Sequence, residues 1–216
     1  MPFNFDIGLR QAATTLLAAG WLCAQAPAVQ ATPVYDNLAS SAVGADPLYS
    51  YGPIANAFNT GANGSGTLTG VTVLLGNGSP DVVGDIRLSL HAAGSNAPGA
   101  ELLSLGQISS ADIAVGTLAA YSFSPLGAFS LAANTTYWIE IDAVGANGVL
   151  WSWSDDLLAT GVAGQANYSA ALGFNANSAD FGPYQMAVEI PEPDSLLLMA
   201  LGLGLVGITA RRRRPR

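Results

Sequence analysis

Between Thr32 and Ile190 apolar and polar residues alternate one by one through a series of short segments. The pattern is plain in Leu68-Thr69-Gly70-Val71-Thr72-Val73-Leu74-Leu75, in Asp85-Ile86-Arg87-Leu88-Ser89-Leu90-His91 and in Thr136-Tyr137-Trp138-Ile139-Glu140-Ile141-Asp142. It returns in Val149-Leu150-Trp151-Ser152-Trp153-Ser154 and in Tyr184-Gln185-Met186-Ala187-Val188-Glu189-Ile190. Successive side chains of an extended chain point to opposite faces, so a period of two buries one face and leaves the other outside. Turn-forming clusters separate the segments: Gly76-Asn77-Gly78-Ser79-Pro80, Gly94-Ser95-Asn96-Ala97-Pro98-Gly99 and Gly145-Ala146-Asn147-Gly148. No stretch outside the two ends has a helical period. Eight to ten strands in about 160 residues predict an all-β fold over 32–190, an antiparallel jelly-roll-like β-sandwich. A domain of that size buries a core without disulfides.

The two ends read differently. Ala12 to Leu22 is an apolar run preceded by Arg10 and followed by small residues, with Ala24-Gln25-Ala26 and Val29-Gln30-Ala31 each fitting a small-x-small cleavage pattern. These are the parts of a secretory signal peptide, assigned to 1–31, with its helix removed by signal peptidase after translocation by the Sec machinery. Cutting after Ala26 would place Pro27 directly beyond the bond, which favours Ala31. Cys23 is the one cysteine and lies inside this segment, so the mature chain is expected to contain no thiol, no disulfide and no thiolate metal site.

At the other end, Pro191-Glu192-Pro193 and Asp194 precede Ser195 to Ala210, sixteen residues without a charge. As a helix this run is about 24 Å long, a little short of a ~30 Å hydrocarbon core, and flanking Arg side chains can snorkel to make up the difference. Arg211, Arg212, Arg213 and Arg214 follow, and the positive-inside rule sets that cluster in the cytoplasm. A transmembrane helix is therefore predicted over 195–210. Hydropathy does not distinguish a retained single-pass anchor from a tail that is cut off.

The three-part order of Pro191-Glu192-Pro193, apolar span and Arg cluster resembles the PEP-CTERM sorting signal of Gram-negative bacteria, here assigned to 191–216. The resemblance implies a substrate of an exosortase, a membrane-embedded protease-transpeptidase that processes its targets near the Pro-Glu-Pro motif. It implies export, transient residence in the inner membrane, and a final place at the cell surface or in the exopolysaccharide matrix. The domain before the tail is similar to the choice-of-anchor β-sandwich domains, through Val34-Tyr35-Asp36-Asn37, Ala57-Phe58-Asn59-Thr60 and Leu131 to Ile139. That family transfers no catalytic residue.

Charge excludes one class of function and opens another. The chain has a net charge of −8, yet five of its seven basic residues lie in the last six positions. Between Thr32 and Ile190 twelve carboxylates face Arg87 alone, a balance near −11. No basic face remains for nucleic acid. Asp81 with Asp85, and Asp155 with Asp156, sit near turns and supply hard oxygen ligands of the kind Ca²⁺ takes, although dispersed acid also serves solubility.

Trp151 and Trp153 share a strand face, with Trp138 on the preceding strand; these are either core or a platform for a sugar ring. His91 is the one histidine, and its place at the end of an alternating run predicts a solvated residue rather than a general base. No catalytic residue and no cofactor is assigned. The expectation is a non-enzymatic exported protein, structural or adhesive, with a carbohydrate- or Ca²⁺-binding module as the alternative and a secreted hydrolase behind it.

Overall fold

A computed structural model describes residues 31–157, 166–176 and 182–191 of the chain. Ala31–Pro191 is one compact unit. The predicted signal helix and the transmembrane helix over 195–210 lie outside the described residues. Among those described, no helix is long and apolar enough to cross a membrane.

The alternating segments are strands, and all their ladders are antiparallel. In chain order they are β1 (Ala31–Asp36), β2 (Ala42–Pro47), a short helix α1 (Leu48–Tyr51), β3 (Ile54–Asn59), β4 (Gly66–Thr67), β5 (Gly70–Asn77), β6 (Asp85–Ala93) and β7 (Pro98–Ser109). After a single 3-10 turn follow β8 (Ala119–Phe123), β9 (Ser130–Leu131), β10 (Thr136–Val144), β11 (Val149–Ser154), β12 (Ala166–Ser169), β13 (Gly173–Ala176) and β14 (Met186–Pro191). The fourteen strands among the described residues exceed the eight to ten expected. The surplus comes from short strands, the two-residue β4 and β9 and the four-residue β12 and β13, which are too short to leave a periodic trace in sequence.

The pairings nest. β1 pairs β14, β2 pairs β11, β3 pairs β10, β4 pairs β9, β5 pairs β8 and β6 pairs β7. One long antiparallel ribbon, closed by the β6–β7 hairpin, is thus wound around a core, and that winding is the jelly roll. It distributes the long strands over two six-stranded sheets, one containing β1, β14, β5, β8, β11 and β2, the other running β13-β12-β3-β10-β6-β7. Their apolar faces meet in one cluster. Val71, Val73 and Leu75 of β5 and Met186 and Val188 of β14 belong to it from one sheet; Ile86, Leu88 and Leu90 of β6 and Ile139 and Ile141 of β10 from the other. Each fully buried aliphatic side chain of this kind contributes roughly 1.5–3 kcal/mol.

The first sheet forks. β8 occupies one edge of β5 over Val71–Leu75. The other edge is divided, with β14 on Gly70–Val73 and β11 on Leu75–Asn77. Where the two part, Gln185 N–H donates to the Ser152 carbonyl at 2.8 Å and Ser154 N–H to the Pro183 carbonyl at 3.0 Å. Buried polar side chains close the gap. Ser152 Oγ donates to Gln185 Oε1 at 2.6 Å, Gln185 Nε2 to the Ser40 carbonyl at 2.7 Å, and Trp151 Nε1 to the Gln185 carbonyl at 3.0 Å. Asn37 takes the Met186 N–H at 2.7 Å and donates to the Tyr184 carbonyl at 3.1 Å. Each of these groups would otherwise be a buried polar atom without a partner.

Candidate functional site

The fork and the β12–β13 hairpin together shape a cleft of about 220 Å³. Asp46 of β2 and Trp153 of β11 come from one sheet, Asn167 and Ser169 of β12 and Asn175 of β13 from the other, and Tyr51 of α1 and Tyr184 complete the walls. Tyr184 is held from two sides. Its ring stacks on Trp151 with centroids 4.7 Å apart, and its hydroxyl donates to Asp46 Oδ2 at 2.6 Å. Burial pushes the Tyr184 phenol well above its usual range, and the Asp46 hydrogen bond and charge add to the shift. The phenol therefore stays protonated and remains the donor.

Trp153 pairs with Gly44 across the β11–β2 ladder. A Cβ at Gly44 would lie only 2.6–2.8 Å from three atoms of the indole, so a side chain there would displace the ring. Asp46, Trp153 and Asn175 line the cleft, and Asp46 Oδ1, the Trp153 indole N–H and the Asn175 amide make no hydrogen bond among the described residues. A wider groove of about 380 Å³, lined by Val43, Leu118, Leu150 and several glycines, contains no ionisable side chain.

The three tryptophans do not share a platform. Trp151 is wholly buried between the sheets. Trp138 belongs to the other sheet and turns away from the main core, into a small cluster with Ala55, Ala57 and Ala166. Only Trp153, half-buried, reaches the cleft.

The acid pairs are also separate. Asp85 lies beside the start of β11, where Asn147 Nδ2 donates to its carbonyl, whereas Asp155 and Asp156 follow the end of that strand. Six extended residues set them about 20 Å apart. Asp81 is exposed, Asp85 accepts from Gln107 Nε2 at 2.8 Å, and Asp156 accepts from Ser40 Oγ at 2.8 Å. Among the described residues no three of His, Cys, Asp and Glu gather closely enough to hold a metal ion.

His91 is not the solvated residue expected at a strand end. It is 8% exposed, because β7 and β10 flank β6 on both sides and the strand runs on to Ala93. Its Nδ1 lies 2.9 Å from the Gly99 carbonyl, which can only accept, so Nδ1 carries a proton, and Ser89 Oγ lies 3.0 Å from Nε2. Glu140 Oε1 is 3.5 Å from the same Nε2. A serine-histidine-acid relay needs the serine and the acid on opposite ring nitrogens, so these three residues lack that geometry. Burial raises the Glu140 carboxyl above its ordinary value, and the nearby His91 opposes that shift.

Sequence reasoning did not find Asp46, Tyr51, Tyr184 or Asn175 as a group. Asp46 and Tyr184, for example, are 138 positions apart. The one local signal is that Tyr184 opens an alternating run.

β14 ends at Pro191, and Ala31↔Pro191 is the last rung of its ladder with β1. Residues 189–214 match the family model of the PEP-CTERM protein-sorting motif. The chain carries a PEP-CTERM sorting motif. The motif marks it as an exosortase-targeted, secreted surface protein. No curated protein and no solved structure matches the chain. The PEP-CTERM match starts inside β14, so folded strand and sorting signal adjoin with no linker between them. Pro191 is the last described residue; Glu192, Pro193 and Arg211 to Arg214 lie outside.

Proposed function

We propose that the protein is a non-enzymatic extracellular component with a structural or adhesive role, released from its membrane tail by an exosortase and displayed at the cell surface or in the exopolysaccharide matrix of a Gram-negative bacterium. In this reading the Sec machinery exports the chain and signal peptidase removes 1–31. The span 195–210 then holds the protein in the inner membrane, with Arg211 to Arg214 on the cytoplasmic side. The exosortase acts near Pro191-Glu192-Pro193.

The observation that carries the proposal is the PEP-CTERM match over 189–214, which begins within β14, the strand that completes the sandwich. A cut beyond Pro191 removes none of the fourteen strands among the described residues. It also leaves the acidic domain without the Arg cluster, as a soluble polyanion suited to a hydrated matrix. Mass spectrometry of the surface-located protein tests the proposal. A C-terminus at or near the motif is expected in cells with an exosortase, and an intact tail in cells without one. An intact tail on the surface protein of exosortase-positive cells overturns it.

A further inference from the structure

We propose that the cleft between β2–β11 and β12–β13 binds one neutral pyranose unit, as a free sugar or as the end of a glycan chain. Every residue that lines the cleft belongs to the folded domain before the sorting motif.

The chemistry of the walls selects the ligand. A pyranose presents an apolar C–H face on one side and a ring of hydroxyls at its edge. The half-buried Trp153 indole, backed by Gly44, supplies a flat apolar wall for the first. Asp46 Oδ1, the Trp153 N–H and the Asn175 amide supply one acceptor, one donor and a group that is both, all without a partner among the described residues. Hydroxyls, which donate and accept at once, satisfy such a mixed set; a purely apolar ligand would leave it unpaired. The Tyr184 bond to Asp46 Oδ2 fixes the carboxylate, so the second oxygen is oriented before a ligand arrives.

Charge and size narrow the class. Among the described residues that line the cleft, Asp46 is the one carboxylate and none is a cation. A uronate or a phosphorylated sugar would therefore meet repulsion without a counter-charge. At about 220 Å³ the cavity is smaller than the ~300–1,000 Å³ of sites for drug-sized ligands, which suits a single ring rather than a chain segment.

The test uses the full chain, solubilised in a detergent without a sugar headgroup, and follows tryptophan fluorescence and ligand-observed NMR. The probes are methyl glucoside, methyl galactoside, methyl mannoside, N-acetylglucosamine, short neutral oligosaccharides, glucuronate and choline. At least one neutral sugar is expected to give a saturable change with a midpoint in the millimolar range. If an oligosaccharide shares the midpoint of its terminal monosaccharide, the glycan end is the ligand; a monosaccharide that binds while its oligosaccharides do not marks a site for free sugar. Glucuronate should bind at least about tenfold more weakly. Trp153→Ala should abolish the response, and Asn175→Ala, at a half-exposed position on the last strand of its sheet, should raise the midpoint about five- to tenfold, the equivalent of one hydrogen bond. Three results overturn the proposal: no saturable response to any neutral sugar by a folded wild type, an unchanged midpoint in Asn175→Ala, or binding of choline in preference to every sugar. The last would assign the cleft to cations held by aromatic faces and Asp46.

Discussion

Gly44→Ala isolates the contact that places the cleft's aromatic wall. Gly44 is on β2, and its cross-strand partner is Trp153. An alanine methyl would stand 2.6 Å from Cζ2, 2.7 Å from Cε2 and 2.8 Å from Nε1 of the indole. Carbon atoms in favourable contact are about 3.5–4.0 Å apart, so the ring must retreat by about 1 Å. Gly44 has no left-handed backbone, so the substitution carries no strain of that kind, and the whole penalty lies in the overlap. Overpacking of this sort costs about 1–3 kcal/mol. For a domain of this size each kcal/mol lowers Tm by about 2–4 °C, and a fall of several degrees is expected.

A double-mutant cycle in urea, read by far-UV circular dichroism, separates this mechanism from a general weakening of β2. The three atoms nearest to the added methyl all belong to Trp153, so in a Trp153→Ala background the overlap vanishes. There Gly44→Ala should be neutral or stabilising by about 0.4–1 kcal/mol, through the reduced freedom of the unfolded chain. A coupling of about 1–3 kcal/mol between the two sites follows. If Gly44→Ala costs the same in both backgrounds, the indole is not what the glycine accommodates, and the account of the wall is wrong.

Other substitutions probe the fork and the outer face. Asn37→Ala removes two hydrogen bonds and leaves the Met186 N–H buried without an acceptor; equilibrium urea unfolding should show a loss of about 2–4 kcal/mol. Trp151→Phe keeps a ring beside Tyr184 but deletes the Nε1 bond to the Gln185 carbonyl, and a loss of about 1–3 kcal/mol is expected by the same measurement. Glu140 has a raised carboxyl pKa, so the folded state holds its proton more tightly than the unfolded chain does. Its effect on stability is therefore most favourable at low pH and is lost as pH rises from 4.5 through the folded value. Glu140→Gln should raise Tm at pH 7 and make little difference at pH 4; a lower Tm at pH 7 would show that the contact with His91 outweighs burial.

Much of the sandwich is legible because two-sided burial writes itself into adjacent residues. Val71, Val73 and Leu75, or Ile86, Leu88 and Leu90, announce an inward face without reference to any other strand. The nested pairing is a different matter. Nothing local says that Ala31 meets Pro191 or that β5 shares one edge between β14 and β11, since those choices depend on ladders between strands far apart in the chain. His91 shows the same limit: the strand pattern ends near it, but the cover from β7 and β10 does not appear in its neighbours. The tryptophans were readable as aromatic and in register, yet Trp151 and Trp153, on one face of one strand, differ because the fork opens between their partners. The sorting tail is legible for another reason. Its three parts are contiguous, so it needs no fold to be recognised.

The nested ribbon also sets the place of Pro191 relative to the cleft. Because β1 and β14 are the outermost pair, the chain enters at Ala31 and leaves at Pro191 on the same rung. Tyr184, in the cleft wall, lies seven residues before that exit, and most of the intervening chain is β14. At 3.2–3.4 Å per residue the two points are about 20 Å apart along the strand. β14 pairs with β5 and β1 over that distance and is rigid by construction. The fork residues Asn37, Ser152 and Gln185 fix the cleft end of β14 independently of its far end at Pro191. Loss of the tail should leave the cleft geometry unchanged, so a sugar site there would work equally well in the tethered and the released protein.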